Sequence, residues 1–353
     1  MQSVFQVNNC MAKKTFNKKT YLVPAIVSML AIIAVVCYFF FTGFSYSKET
    51  RYIYIDSDDN ADSVCAQLAP IASRHSMTAL CTLLRHSGYD DNVLTGRYAI
   101  HPDDGVITVF RRLKNGQQTP MMLTIPESRT INRLAGTLAH KLMLDSATIA
   151  CTLADSAYCA KLGYTPQTVP AMFVPNTYEV YWNVDIDKFL QRMKKEHDAF
   201  WNYDRMHKAE AIGLSANEVA TLASIIDEET ANVDEKPMIA GMYLNRMKQN
   251  MPLQADPTIK FALGDFAIKR VRLGMLTTAS PYNTYTNTGL PPGPIKIASV
   301  KGIDAVLNHV AHDYLYMCAK EDFSGTHNFA RTYKEHLQNA ARYSKALNER
   351  GIN

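Results

Sequence analysis

The sequence predicts an α+β protein: one N-terminal membrane helix, a small module of strands and helices, then a larger, mostly helical domain with short strands. Three observations carry this expectation. Tyr21 to Phe44 is a run of 24 residues without a charge, longer than the roughly 20 needed to cross a bilayer as a helix. Short stretches such as Arg51-Tyr-Ile-Tyr-Ile-Asp56, closed by Ser57-Asp-Asp-Asn60, have the two-residue period and the turn residues of strands. Elsewhere apolar residues recur at helical spacing. With 353 residues, 47% of them hydrophobic, the chain can bury a sizeable core and form two domains beyond the membrane segment.

The apolar run ends in Phe39-Phe-Phe-Thr-Gly-Phe-Ser-Tyr-Ser47, a poor cleavage site, so an uncleaved anchor over 21–44 is expected. Cys37 within it has no convincing lipobox. Lys13, Lys14, Lys18 and Lys19 precede the run with no acid, which puts residues 1–20 in the cytoplasm and everything after Phe44 outside. Met11-Ala-Lys-Lys also reads as an alternative start. Beyond the anchor, 33 basic residues face 33 acids. A neutral exported part carries no global field for nucleic acid or an acidic polymer. Five cysteines lie outside the anchor: Cys65, Cys81, Cys151, Cys159 and Cys318. Cys151 and Cys159 flank a short segment and form a candidate bridge, although sequence does not decide pairing. The histidines are scattered and no metal-ligand spacing occurs, so neither metal nor cofactor is expected.

After the first strand, 62–73 and 77–87 read as helices. Leu94 to Ile100 reads as a strand with a turn at His101-Pro-Asp-Asp-Gly105, and 107–113 as a helix or strand closed by Asn115-Gly116. This strand–helix–helix–strand unit, residues 45–117, resembles a LysM-like module, a fold that binds glycan backbones. A spacer holding the next domain off the membrane fits the pattern equally. The second domain, 118–353, opens with a strand ending at Pro126 and continues with helices at 130–142 and 146–162. An aromatic stretch at 173–182 and an amphipathic helix over 184–202 follow. Tyr178, Tyr181 and Trp182 can pack, or serve as platforms for sugar rings.

The next helix organises the domain. Ser215 and Glu218 have capping-box spacing. Val219, Leu222, Ile225 and Ile226 then mark one helical face, and Glu229 falls on its continuation. Glu228 lies below Ser224 and Thr221 on the polar side, and Asp227 follows Ala223. Three consecutive carboxylates therefore meet three environments, and only Glu229 prolongs the buried face, where desolvation favours the protonated acid. The plain alternative is a helix running out of core into a solvated acidic end.

A further helix follows Asp234, with Pro237 in its first turn and Asn245 and Arg246 at its end. Its Met238, Ile239, Met242 and Tyr243 are expected to pack on the Glu229 helix. In Leu253-Gln-Ala-Asp-Pro-Thr258, Asp256 before Pro257 reads as an N-cap; Gln254 has no such structural reason. Ser280-Pro-Tyr-Asn-Thr-Tyr285 and Thr288-Gly-Leu-Pro-Pro-Gly-Pro-Ile295 gather hydroxyls, amides and aromatics in stiff loops, suited to sugars or simply to rigidity.

At these residues the chain resembles the membrane-anchored endolytic peptidoglycan transglycosylases of the MltG/YceG-like type. The stretches that carry the resemblance are Ala223-Ser-Ile-Ile-Asp-Glu-Glu-Thr230, Tyr243-Leu-Asn-Arg246, Met251-Pro-Leu-Gln-Ala-Asp-Pro-Thr258, Pro281-Tyr-Asn-Thr-Tyr285 and Thr288-Gly-Leu-Pro-Pro-Gly293. His327-Asn-Phe329 and His336 match the C-terminal block. Asp227 stands where the family often has Glu, and Glu228 where it often has a basic residue. The resemblance implies that 118–353 is the catalytic domain and that Glu229, just before the threonine, is the catalytic acid. It implies a lyase that cleaves the MurNAc–GlcNAc β-1,4 bond of nascent strands, leaves 1,6-anhydro-MurNAc ends and stops elongation. It further implies an inner-membrane, single-pass location with the catalytic domain periplasmic, and a partnership with peptidoglycan synthases.

Asn245, Gln254, Asp256, Thr258, Tyr282, Asn283, Thr284 and Tyr285 are the candidates to hold the sugar and its cationic transition state. Two other readings remain open from the residues. One is a hydrolase using Glu229 with a second carboxylate; Asp227 projects about 160–200° from Glu229 on the same helix, which leaves Asp256 as the serious candidate. The other is a peptidoglycan-binding scaffold without activity.

Overall fold

Helix α1 (Lys18–Phe40) takes up most of the uncharged run. Its Leu22–Phe40 stretch has a mean hydropathy of 2.6 and is exposed from Leu22 to Tyr38, long and apolar enough to cross a membrane. The structure, a computed structural model, describes residues 18–351; Lys13, Lys14 and the alternative start at Met11 lie outside them. The chain forms two compact units, one ending at Thr119 and one beginning at Pro120.

In the first unit, β1 (Arg51–Ile55) and β2 (Gly96–Ile100) pair antiparallel, with Arg51 opposite Ile100. Helices α2 (Ala61–Leu68) and α3 (Arg74–His86) lie between them in sequence, and α4 (Val106–Lys114) follows. Asn60 starts α2 with a capping box to Ser63. The helix-or-strand ambiguity at 107–113 resolves to helix because Val106, Val109 and Leu113, spaced by three and four, all reach the core. Phe44, the last residue of the apolar run, is fully buried there.

The disulfide joins Cys65 to Cys81, tying α2 to α3. The candidate bridge between Cys151 and Cys159, which the sequence left open, does not form, and both thiols are free. Its physical reason is Asp155, which ends α6 (Ser146–Ala154) and caps α7 (Ser156–Lys161) by accepting from the Ala157 N–H. The chain turns there, so Cys151 faces solvent while Cys159 enters the core and donates to the Leu153 carbonyl at 3.3 Å.

The second unit has two hydrophobic cores. The first lies around an antiparallel pair, β3 (Met121–Thr124) and β4 (Thr177–Val180), covered by α5 (Ile131–Ala139), α6, α7 and α8 (Ile186–Phe200). Tyr178 is buried in it, its hydroxyl donating to the Val174 carbonyl, whereas Tyr181 is exposed. The second core gathers α9 (Tyr203–Ala211), α10 (Ala216–Glu229), α11 (Lys236–Lys248) and α13 (Val300–Leu307), with α12 (Asp256–Leu263) beside them. Last come the antiparallel strands β5 (Tyr316–Ala319) and β6 (His327–Ala330), and α14 (Tyr333–Glu349).

Helix α10 begins at the expected capping box of Ser215 and Glu218. Its burial exceeds the expected single stripe: every residue from Val219 to Ile226 is buried. The polar side survives this because its hydroxyls are satisfied. Thr221 donates to the Asn217 carbonyl, and Ser224 donates to Thr221 and accepts from the Ile295 N–H.

Gly241 on α11 and Gly293 sit where another backbone passes. A Cβ would meet the Val310 carbonyl oxygen at 2.3 Å and the Gln167 carbonyl oxygen at 2.0 Å, respectively. Backbone on both sides cannot yield as a side-chain tip can. Gly293→Ala is therefore expected to cost about 1–3 kcal/mol or more, read as an earlier midpoint in denaturant unfolding; an unchanged midpoint would contradict this packing.

Candidate active site

Helix α10 ends at Glu229 because Thr230 turns extended, with φ −142° and ψ 138°. The three acids at this end part company. Asp227 is buried in an ion pair with Lys236 and accepts from the N–H and hydroxyl of Ser299 at 2.6 and 2.8 Å. Glu228 pairs with Arg129 at 2.9 Å and Lys296 at 3.5 Å. Glu229 has no basic partner within ion-pair distance among the described residues. It accepts instead from the Tyr243 hydroxyl of α11 at 2.8 Å.

Glu229 is partly open to a cleft of about 450 Å³, but protein packs closely around its carboxyl. That desolvation pushes its pKa up to about 7. The Tyr243 hydrogen bond opposes the rise; Asp256 and Glu228 add to it through their charges, and Lys260 lowers it. Burial holds the Tyr243 hydroxyl far above its ordinary pKa, so it stays a neutral donor.

Four of the sequence candidates meet in this cleft: Glu229, Gln254, Asp256 and Tyr285. Asp256 does not cap α12 through its side chain, because the helix begins one residue earlier than an Asp256 cap requires and its N-cap is Ala255. Its carboxylate is free to accept from the Tyr285 hydroxyl at 2.5 Å. Gln254 adopts φ +55°, the left-handed region that a non-glycine residue rarely takes. It is held by its N–H on the Thr284 carbonyl and by its side-chain oxygen, which accepts from Arg246.

The other candidates lie elsewhere. Asn245 donates to the carbonyls of His312 and Tyr314 on the far side of α11. Thr258 and Thr284 are buried and share a hydroxyl–hydroxyl bond at 2.8 Å, and Thr284 also accepts from the Ala255 N–H. Asn283 is fully buried, donates to Leu276 and Thr278, and accepts from the Tyr285 N–H. Thr258, Asn283 and Thr284 therefore brace the loops that present Gln254, Asp256 and Tyr285. Tyr282 packs on Phe261 with ring centroids 4.7 Å apart and lines a separate, smaller pocket with Arg129 and Lys296.

The cleft also contains residues that sequence reasoning passed over. Tyr243 was expected only to pack, and Arg246 only to end a helix, although both stand in a motif that carries the resemblance. Tyr316, Tyr333 and His336 close the opposite wall from β5 and α14. The matches at His327-Asn-Phe329 and His336 were the signals that the C-terminal segment reaches the site, and His327 and His336 both line the cleft. His327 fastens β6 to the start of α11, its N–H and ring nitrogen bonding Glu235 at 2.5 and 2.9 Å.

The chain is similar to known proteins over most of its length. A relative in Bacillus subtilis named endolytic murein transglycosylase is 28% identical over 322 residues, covering 86% of this chain and 88% of that protein. One of the same name in Streptococcus pneumoniae is 25% identical over 291 residues, covering 73% of this chain and 52% of its own length; the chain thus spans about half of that relative. The crystal structure of a yceG-like protein from Listeria monocytogenes superposes with a TM-score of 0.55 at 28% identity, over 83% of this chain and 99% of that one. The sequence profile of the YceG-like family matches residues 53–342, and the chain belongs to that family.

Proposed function

We propose that the chain is an endolytic lytic transglycosylase of peptidoglycan. It cuts the MurNAc–GlcNAc β-1,4 bond inside a nascent strand, leaves a 1,6-anhydro-MurNAc end and so terminates elongation. The observation that carries this reading is Glu229: a carboxyl lining a cleft, with no cation within ion-pair distance in the described structure, and protonated up to about pH 7. A carboxyl held this way is suited to give a proton and take one back.

Protonated Glu229 donates to the glycosidic oxygen as the bond from that oxygen to C1 of MurNAc breaks. The positive charge that develops on C1 and the ring oxygen lies in a cleft with the Asp256 carboxylate. The Glu229 carboxylate then removes the proton of the same sugar's C6 hydroxyl while O6 bonds to C1. Glu229 ends protonated, and no water is consumed. Gln254, Tyr285 and Asp256 hold the sugar; Asn245, Thr258, Asn283 and Thr284 act through the backbone they brace. Tyr282 serves a flanking position.

The reading extends to the rest of the chain. Helix α1 anchors it in the inner membrane with a cytoplasmic N-terminus. The first unit is a LysM-like module that holds glycan. Terminating new strands places the enzyme beside the synthases that extend them.

One observation favours a second reading, hydrolysis. Asp256 lines the same cleft as Glu229 and acts on it electrostatically, and a second carboxylate is what a hydrolase needs to activate water.

The pH dependence tests the role of Glu229. Only the protonated acid starts the reaction, so kcat/KM is expected to hold steady below about pH 7 and fall about tenfold per unit above it. Tyr243→Phe removes the hydrogen bond that lowers the Glu229 pKa, and so should move this alkaline limb to higher pH. A profile flat to pH 9, or a limb moved down by Tyr243→Phe, would exclude Glu229 as the acid.

A further inference from the structure

Arg246 is 6% exposed and lines the cleft, yet no carboxylate pairs with it in the described structure. Its Nη2 donates to the neutral side-chain oxygen of Gln254 at 2.5 Å, and its Nε is buried with no partner. A guanidinium taken out of water without a counter-charge is costly unless another group supplies one. Neither acid of the cleft does so. The Glu229 carboxyl takes the Tyr243 hydroxyl, and the Asp256 carboxylate takes that of Tyr285.

A second unsatisfied nitrogen belongs to another residue lining the cleft. His336 Nδ1 is buried without a partner. Its ring stacks on Tyr316, centroids 5.5 Å apart and planes 25° from parallel, while the Arg246 guanidinium stands 5.6 Å from the same tyrosine ring. Burial and the Arg246 charge push the His336 pKa down, so at neutral pH the ring is uncharged and Arg246 is the cation of this corner.

We propose that Arg246, with His336 beside it, is the receptor for a carboxylate of the substrate, carried by the peptide attached to the lactyl group of a MurNAc next to the cleavage point. The inference rests on the proposed glycan substrate and adds to it what the enzyme reads besides sugar. A planar guanidinium with free N–H groups matches a carboxylate in geometry as well as charge. It also gives Gln254 a second function: by occupying Nη2, its side-chain oxygen fixes the fork and leaves the other donors for the ligand.

The test uses the full chain in detergent and two forms of the same peptide-bearing strands, one with free carboxylates and one with those carboxylates converted to primary amides. Binding is measured to Glu229→Gln, which keeps the result independent of the chemistry, and kcat/KM is measured with the otherwise unaltered chain. The carboxylate form is expected to bind about tenfold or more tighter, as for a charge-assisted hydrogen bond. Adding Arg246→Gln should collapse that ratio to near one, and Arg246→Lys should retain part of it. Should Arg246→Gln fail to fold, the lysine variant and His336→Ala carry the same comparison. Equal binding of the two forms, or a ratio that survives loss of the guanidinium, would overturn the proposal. Strands that bind with the expected ratio but are never cut would instead overturn the proposed reaction and leave the receptor standing.

Discussion

Glu229→Gln is expected to lower the rate of strand cleavage by about 10²–10⁴-fold, with the upper end favoured because one carboxyl serves as both acid and base. Glutamine keeps the size of the side chain and accepts from Tyr243, but its amide neither gives up a proton as an acid nor takes one as a base near neutral pH. The same substitution should leave the fold intact and make it more stable at neutral pH. The folded-state pKa of Glu229, about 7, lies above its ordinary value of 4.5, so the folded state holds the proton more firmly than the unfolded chain. That contribution is fully present below about pH 4.5 and lost as pH rises through about 7. Across this window the parent chain should lose stability relative to Glu229→Gln by about 1–3 kcal/mol, with partial exposure keeping the figure below the full shift. Denaturant melts of the two proteins at pH 5 and pH 8 measure the difference. A glutamine variant that is active, or less stable at pH 8, would remove Glu229 from the role given to it.

The largest stability effect is expected two residues earlier. Lys236→Met leaves the Asp227 carboxylate, 1% exposed, without its counter-charge, and breaking one side of a buried pair costs about 3–5 kcal/mol. The site should suffer with the fold, because this pair joins the end of α10 to the start of α11. Ser299 ties the same carboxylate to the start of α13. Gly302 makes the approach possible, since a Cβ there would lie 2.5 Å from an Asp227 oxygen. Replacing both members, Asp227→Leu with Lys236→Met, should cost clearly less than the sum of the single changes. Additive losses in urea melts would show that the pair is not coupled.

How much of this was legible in the sequence depends on the range of the interactions. Glu229 could be singled out because its environment follows from its own helix: a capping box fixes the start, and the apolar stripe leads to the acid. The expectation that only Glu229 would be buried fails for Asp227, whose side chain is 1% exposed, because α10 is packed on all sides and Lys236, distant in helical register, supplies the counter-charge that makes its burial tolerable. Short polar side chains in the loops were harder. Asn245, Asn283, Thr258 and Thr284 resemble sugar ligands in composition, but their partners are largely backbone groups brought close by the tertiary fold. Asp256 misled in the opposite way, because an Asp-Pro pair signals a cap and the side chain turned instead to Tyr285, 29 residues on. Arg246 stood in a matching motif, but its residue type and helix position gave no sign of its environment, since its meaning is the absence of a counter-charge in three dimensions. The disulfide followed the same rule: closeness in sequence made Cys151 and Cys159 one candidate among undecided pairings, and helix packing chose Cys65 and Cys81.

The chemical form of the new ends is the most direct measurement of what Glu229 does. Purified peptidoglycan strands incubated with the protein, and with Glu229→Gln beside it, are analysed by mass spectrometry. Internal fragments ending in 1,6-anhydro-MurNAc, absent with the variant, are the predicted result. Fragments with reducing ends would contradict it, because they require water at C1, and would turn attention to Asp256 as the base that activates it.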